Sequence, residues 1–118
     1  MGLAAFTASS TAVTRNEQFT VTFSLRNIGQ EIFSGGHTGV ALVDNNGNIV
    51  GEVMGVGTSQ SRNPGGQTAL VTRICSIPNT VPPGQYQLRI VIRPTGGEWR
   101  IAALSYNNAP TSIDFTVR

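Results

Sequence analysis

The stretch Gly84 to Arg93, GQYQLRIVIR, limits what this chain can fold into more than any other. Tyr86, Leu88, Ile90 and Ile92 fill one set of alternate positions; Gln85, Gln87, Arg89, Val91 and Arg93 fill the other. An extended backbone sends successive side chains to opposite faces, so one face here is apolar and the other mostly polar. Val81-Pro82-Pro83-Gly84 interrupts what precedes it, and Pro94 closes it, because proline has no N–H to give a ladder. The pattern predicts a half-buried antiparallel strand.

The same alternation recurs in Phe19, Val21, Phe23 and Leu25, interleaved with Thr20, Thr22, Ser24 and Arg26 and stopped by Asn27-Ile28-Gly29. Threonines facing water and aromatics facing a core are the pattern of an antiparallel sheet with one wet face. Ala4 to Ser9 reads as a first edge strand and Thr11 to Glu17 as a polar connection. Glu31-Ile32-Phe33 reads as a short strand or bridge ahead of a turn at Ser34-Gly35-Gly36. Gly39 to Val43 and Asn48 to Val56 flank Asp44-Asn45-Asn46-Gly47, whose Asn-Gly pair tolerates the positive φ of a tight hairpin. Gly57 to Gln67 is a polar loop long enough to cross between sheets, and Thr68 to Ile77, with Leu70 and Ile74, resumes as a strand. Thr95-Gly96-Gly97 turns the chain into Glu98 to Leu104, the expected hairpin partner of the organising strand. Asn107 to Pro110 is a last turn before a closing strand carrying Ile113, Phe115 and Val117.

No window carries helical periodicity. Seven to nine short strands separated by Gly, Asn and Pro turns predict an all-β fold, an immunoglobulin-like antiparallel β-sandwich. A jelly roll or small β-barrel is the alternative. Cys75 is the one cysteine, so the sandwich has no internal disulfide. At 118 residues the chain supports one core, expected over residues 4–118, with residues 1–3 a leader or linker.

The residues exclude more chemistry than they offer. The eight basic residues are all arginines, scattered singly from Arg15 to Arg118, so the net charge of +2 does not form a nucleic-acid footprint. No apolar run approaches the roughly 20 residues of a membrane helix. His37 is the single histidine; it sits among glycines, while Cys75 lies in an apolar strand, so nothing pairs them as a catalytic dyad. The six carboxylates lie near turns or on alternating faces, and no pair is marked out for glycosidase chemistry. Asp44 to Asn48 fails the calcium-loop pattern, with Gly47 fourth and Gly55 at position twelve. One His and one Cys make no transition-metal site, and no cofactor is expected.

Binding remains. Trp99, Arg100 and Tyr106 lie close in sequence, and aromatics beside arginine compose protein-recognition hot spots or stack on sugar rings. Packing of Trp99 on the rim of the sandwich would explain it equally well. Arg89 and Arg93 share the outer face of the organising strand with Val91, a candidate patch for an acidic partner or a plain solvated face.

FTVTFSLRN at Phe19–Asn27, then Gly29, Phe33-Ser34-Gly35-Gly36, GVALVD at Gly39–Asp44 and Asn46-Gly47 resemble the C-terminal immunoglobulin-like modules of secreted Bacteroidetes proteins. The likeness is greatest to modules that trail streptopain-like cysteine peptidases, and Ile77-Pro78, Pro83 to Arg89 and Trp99 extend it across most of residues 18–117. The resemblance implies a non-catalytic, extracytoplasmic accessory domain, secreted or on the cell surface. Its partner would be the catalytic domain of the parent protein, or an extracellular protein or glycan if it serves adhesion. No peptidase residue carries over, because Cys75 stands outside any such motif.

Overall fold

The computed structural model describes residues 1–33 and 35–118, so Ser34, in the expected Ser34-Gly35-Gly36 turn, lies outside the described residues. Ten strands form among them. β1 (Gly2–Ala8), β3 (Gln18–Arg26), β6 (Val71–Ser76) and β9 (Leu104–Ser105) make one sheet, in the order β6-β3-β1-β9. β2 (Ala12–Val13), β10 (Ile113–Val117), β7 (Gly84–Pro94), β4 (Gly36–Val43) and β5 (Ile49–Ser59) make the other, in the order β2-β10-β7-β4-β5, with β8 (Arg100–Ile101) also on β7. The two sheets pack face to face as a β-sandwich, and their edges stay open, which settles the choice against a closed barrel.

The alternating rows meet in the core. Phe19, Val21, Phe23 and Leu25 of β3 and Leu88, Ile90 and Ile92 of β7 are buried facing one another, with Val40, Leu42, Phe115 and Val117 between them. Phe19 and Phe115 bridge the sheets, their rings 5.0 Å apart and tilted by 37°. Each such side chain contributes roughly 1.5–3 kcal/mol by leaving water. At the expected hairpin, the Asp44 carboxylate accepts from the N–H groups of Asn46 and Asn48, and Gly47 takes φ 81°. The tight turn therefore rests on an Asx contact plus a glycine.

Three expectations change. The sandwich starts ahead of residue 4: Gly2 opens β1 and Leu3 is fully buried. A bulge between Leu3 and Ala5 shifts the register, which brings Leu3 and Phe6, three positions apart, to the same inner face. The connection read at Thr11 to Glu17 contains β2, with Val13 in the core. β2 lies parallel to β10, and β9 lies parallel to β1, so both sheets are mixed and the strand count exceeds nine by one short pairing. The strand read at Thr68 to Ile77, finally, shortens to β6: Leu70 lies ahead of it, and Leu70 and Ile74 are exposed at 67% and 66%, while the alternate row holding Cys75 turns inward.

The loop from β6 to β7 is pinned by Tyr86, whose hydroxyl donates to the Pro82 carbonyl at 2.7 Å. A tyrosine at the start of this strand reaching back four residues is the corner that marks immunoglobulin-like sandwiches. Cys75 is free and buried, so the inter-sheet packing stands without a disulfide.

Candidate functional site

The two outer faces of the sandwich differ in kind. On the β6-β3-β1 sheet, Thr7, Thr22 and Thr72 lie side by side across the strands, and the hydroxyls of Thr22 and Thr72 are 3.1 Å apart. On the other sheet part of the outward face is apolar. Ala41, Val43 and Val91 form a second, separate cluster outside the main core, covered by Val53, Trp99 and Ile101. The register explains it: Val91 pairs with Ile101 and with Gly39, so β8 lays Ile101 beside the outward row of β7.

Trp99, just before β8, is half-buried on this cluster, and the Arg93 guanidinium stands 4.8 Å above the centre of its ring. The geometry is a cation–π contact, of about 0.5–1 kcal/mol where solvent reaches it. Arg89, four residues earlier on the same face, pairs in register with Ala41 and keeps a buried Nε without a hydrogen-bond partner among the described residues. Trp99, Arg93 and Arg89 thus gather on one face, and Trp99 also packs, so the two readings of that residue describe one arrangement.

Arg100 and Tyr106 do not join them. Arg100 pairs with Ile92 and lines an apolar cleft of roughly 330 Å³ with Met1, Phe33 and Leu104. Tyr106 belongs to the opposite sheet: its N–H donates to the Leu3 carbonyl, and Arg26 stacks over its ring at 4.3 Å. The sequence cluster therefore divides among three places.

His37 and Cys75 are held on different sheets. His37 pairs with Thr58 and Arg93, while Cys75 pairs with Phe19 and belongs to the core. Burial pushes the Cys75 thiol up to about 11, against a smaller opposing pull from Arg73. A group whose folded value is raised holds its stabilisation below its unfolded value, near 9.0, and loses it as the thiol ionises. Stability of the wild type should therefore fall as pH rises from about 9 through about 11, and Cys75→Ala should remove that part of the slope. Urea midpoints measured at intervals across the range give the comparison.

Sequence reasoning missed Arg73. It shares the inward row of β6 with Cys75, and its guanidinium reaches between the sheets to the Thr38 hydroxyl at 3.0 Å and the Gly55 carbonyl at 3.1 Å. Burial lowers its pKa from the ordinary arginine range. The parity of Arg73 with Cys75 was the available signal. Among the described residues no three acidic, His or Cys side chains come together in a way that would hold a metal ion. No helix among them is long and apolar enough to cross a membrane.

No family model matches the chain, and no curated protein is significantly similar to it. Solved structures do share its fold. One is the Pseudomonas fluorescens alkylpurine DNA glycosylase AlkC bound to DNA containing an abasic site analog, at TM-score 0.59 and 14% identity. The match covers 99% of this chain but 30% of that one, so the chain is similar in fold to one part of a larger protein.

Proposed function

We propose that this chain is a non-catalytic accessory module, an immunoglobulin-like domain of a larger secreted or cell-surface bacterial protein. In this reading it is associated with a peptidase and serves as a spacer or protein-interaction domain. The observation that carries the proposal is the outer face of the β10-β7-β4-β5 sheet. It presents Trp99, Ile101 and Val53 over a buried apolar row, where a free-standing sandwich would place polar side chains. Arg93 and Arg89 border it, the residue types that anchor protein contacts. The resemblance to peptidase-trailing modules supports the same reading.

The second reading is an adhesion domain that binds an extracellular glycan or protein, favoured by the Arg93–Trp99 stack, which suits a sugar ring or a peptide side chain. Trp99→Ala tests both. The flanking domain encoded with this module, supplied in trans, should bind the wild type and bind the variant about 30-fold more weakly, as for loss of a hot-spot tryptophan. A glycan array that instead lights up, and goes dark with Trp99→Ala, moves the assignment to adhesion. Binding to either that is indifferent to Trp99→Ala, or no binding to either, removes this face from the function.

A further inference from the structure

A cleft of roughly 280 Å³ opens between the sheets on the side where β5 and β6 form the two free edges. Phe23 and Leu25 contribute apolar wall, and Arg62, Arg73, Thr38, Thr58 and Thr68 supply polar groups. Among the described residues no Asp or Glu lines it. Two arginines thus share a partly enclosed space with hydroxyls and without a carboxylate.

Neither arginine is fully used there. Arg73 gives one N–H to the Gly55 carbonyl and one to the Thr38 hydroxyl, and its guanidinium lies 5.7 Å from the centre of the Phe23 ring. A guanidinium has five N–H donors, so donors remain. The Cys75 thiol on the same row is kept neutral by burial at physiological pH, so it offers Arg73 no counter-charge. Arg62 donates from Nη1 to the Ser61 carbonyl, while its Nε is buried with no hydrogen-bond partner. An inward arginine on an edge strand also discourages edge-to-edge pairing, which accounts for Arg73. It does not account for a second arginine in the same cleft with an orphaned buried donor, since such a group costs free energy until an acceptor reaches it.

We propose that this cleft is a binding site for a small oxyanion group, a carboxylate, sulfate or phosphate, held between Arg62 and Arg73. The anion accepts from the Arg62 Nε–H and from the free N–H groups of Arg73. Thr38, whose oxygen already accepts from Arg73, has its hydroxyl proton left to donate. The apolar wall thins the solvent around these contacts and strengthens them. The site is distinct from the Trp99 face and stands or falls separately from the reading of that face.

The test is a titration of the intact chain with sodium sulfate, sodium phosphate and sodium acetate, each against sodium chloride at matched ionic strength. The Arg62 Nε–H is followed by NMR. The expected result is a saturable downfield shift of that signal with at least one of the three oxyanions and none with chloride. Arg62→Gln should weaken the affinity, read from the remaining shifts around Thr38 and Arg73, at least tenfold. Arg62→Lys should weaken it nearly as much, because an ammonium lacks the Nε donor and the planar fork. Arg15→Gln, at a remote exposed arginine, should leave it unchanged. The three salts distinguish which oxyanion the cleft prefers. Shifts that rise linearly without saturating, or affinity equal in wild type and Arg62→Gln, would overturn the assignment. Arg62 donates its side-chain bond to a neighbouring carbonyl and lies outside the core, so the variant keeps the fold in which the comparison is made.

Discussion

Phe115→Ala is expected to lower stability by about 3–5 kcal/mol, the range for truncating a well-packed aromatic core residue. Phe115 is 1% exposed, stacks on Phe19 at 5.0 Å, and sits on β10 opposite Tyr86. Its removal takes away the transfer free energy of a large ring and leaves a void between the sheets. Urea denaturation should show a lower midpoint with an unchanged slope, the signature of lost packing in a two-state unfolding. A loss under 1 kcal/mol would mean that the two sheets are not clamped at this point.

The second large effect is expected at Gly36, where the cause is backbone geometry. Gly36 opens β4 with φ 143° and pairs with Pro94 at the end of β7. A Cβ placed there would run into the carbonyl of Arg93, an atom of the neighbouring backbone that cannot rotate aside. Gly36→Ala should therefore cost on the order of 3 kcal/mol through strain and a spread β4–β7 ladder. The damage should be local: amide hydrogen exchange should rise first at His37 to Gly39 and at Val91 to Arg93, the residues paired beside it. Gly47→Ala, also at positive φ but with open space around it, serves as the comparison and should cost far less.

The parts of this fold that were legible in the sequence are those governed by neighbours along the chain. The rows of β3 and β7 declare themselves because a period of two forces their faces, and the Asp44–Gly47 turn because its Asx contact and positive φ are local. β2 and β9 were not legible. Each is two residues long and exists only through a parallel pairing with a strand far away in sequence. Which side of β6 faces inward was not legible for a related reason. Leu70 and Ile74 look like core residues by type, and only the pairing of Phe19 with Cys75 shows which row faces inward.

The candidate site shows the same division. Arg89 and Arg93 follow from strand parity, as does their shared face with Val91. Trp99 and Tyr106 looked like neighbours because few residues separate them, yet between β8 and β9 the chain leaves one sheet and joins the other. Arg26 supplies a cation to Tyr106 from a remote strand, which proximity in sequence does not reveal, whereas Arg93 meets Trp99 across a single turn.

The short β2–β10 pairing has a mechanical meaning for a module tethered at both ends. The two strands run in the same direction, so the leading end of the chain enters at one end of the pair and the trailing end leaves at the other. Tension applied across this pair slides the strands past each other and loads the Thr11–Thr116 and Val13–Arg118 hydrogen bonds together rather than one at a time. That pair lies at the edge of its sheet, and ahead of it a pull on the leading end also meets β1, whose Leu3 is buried in the core.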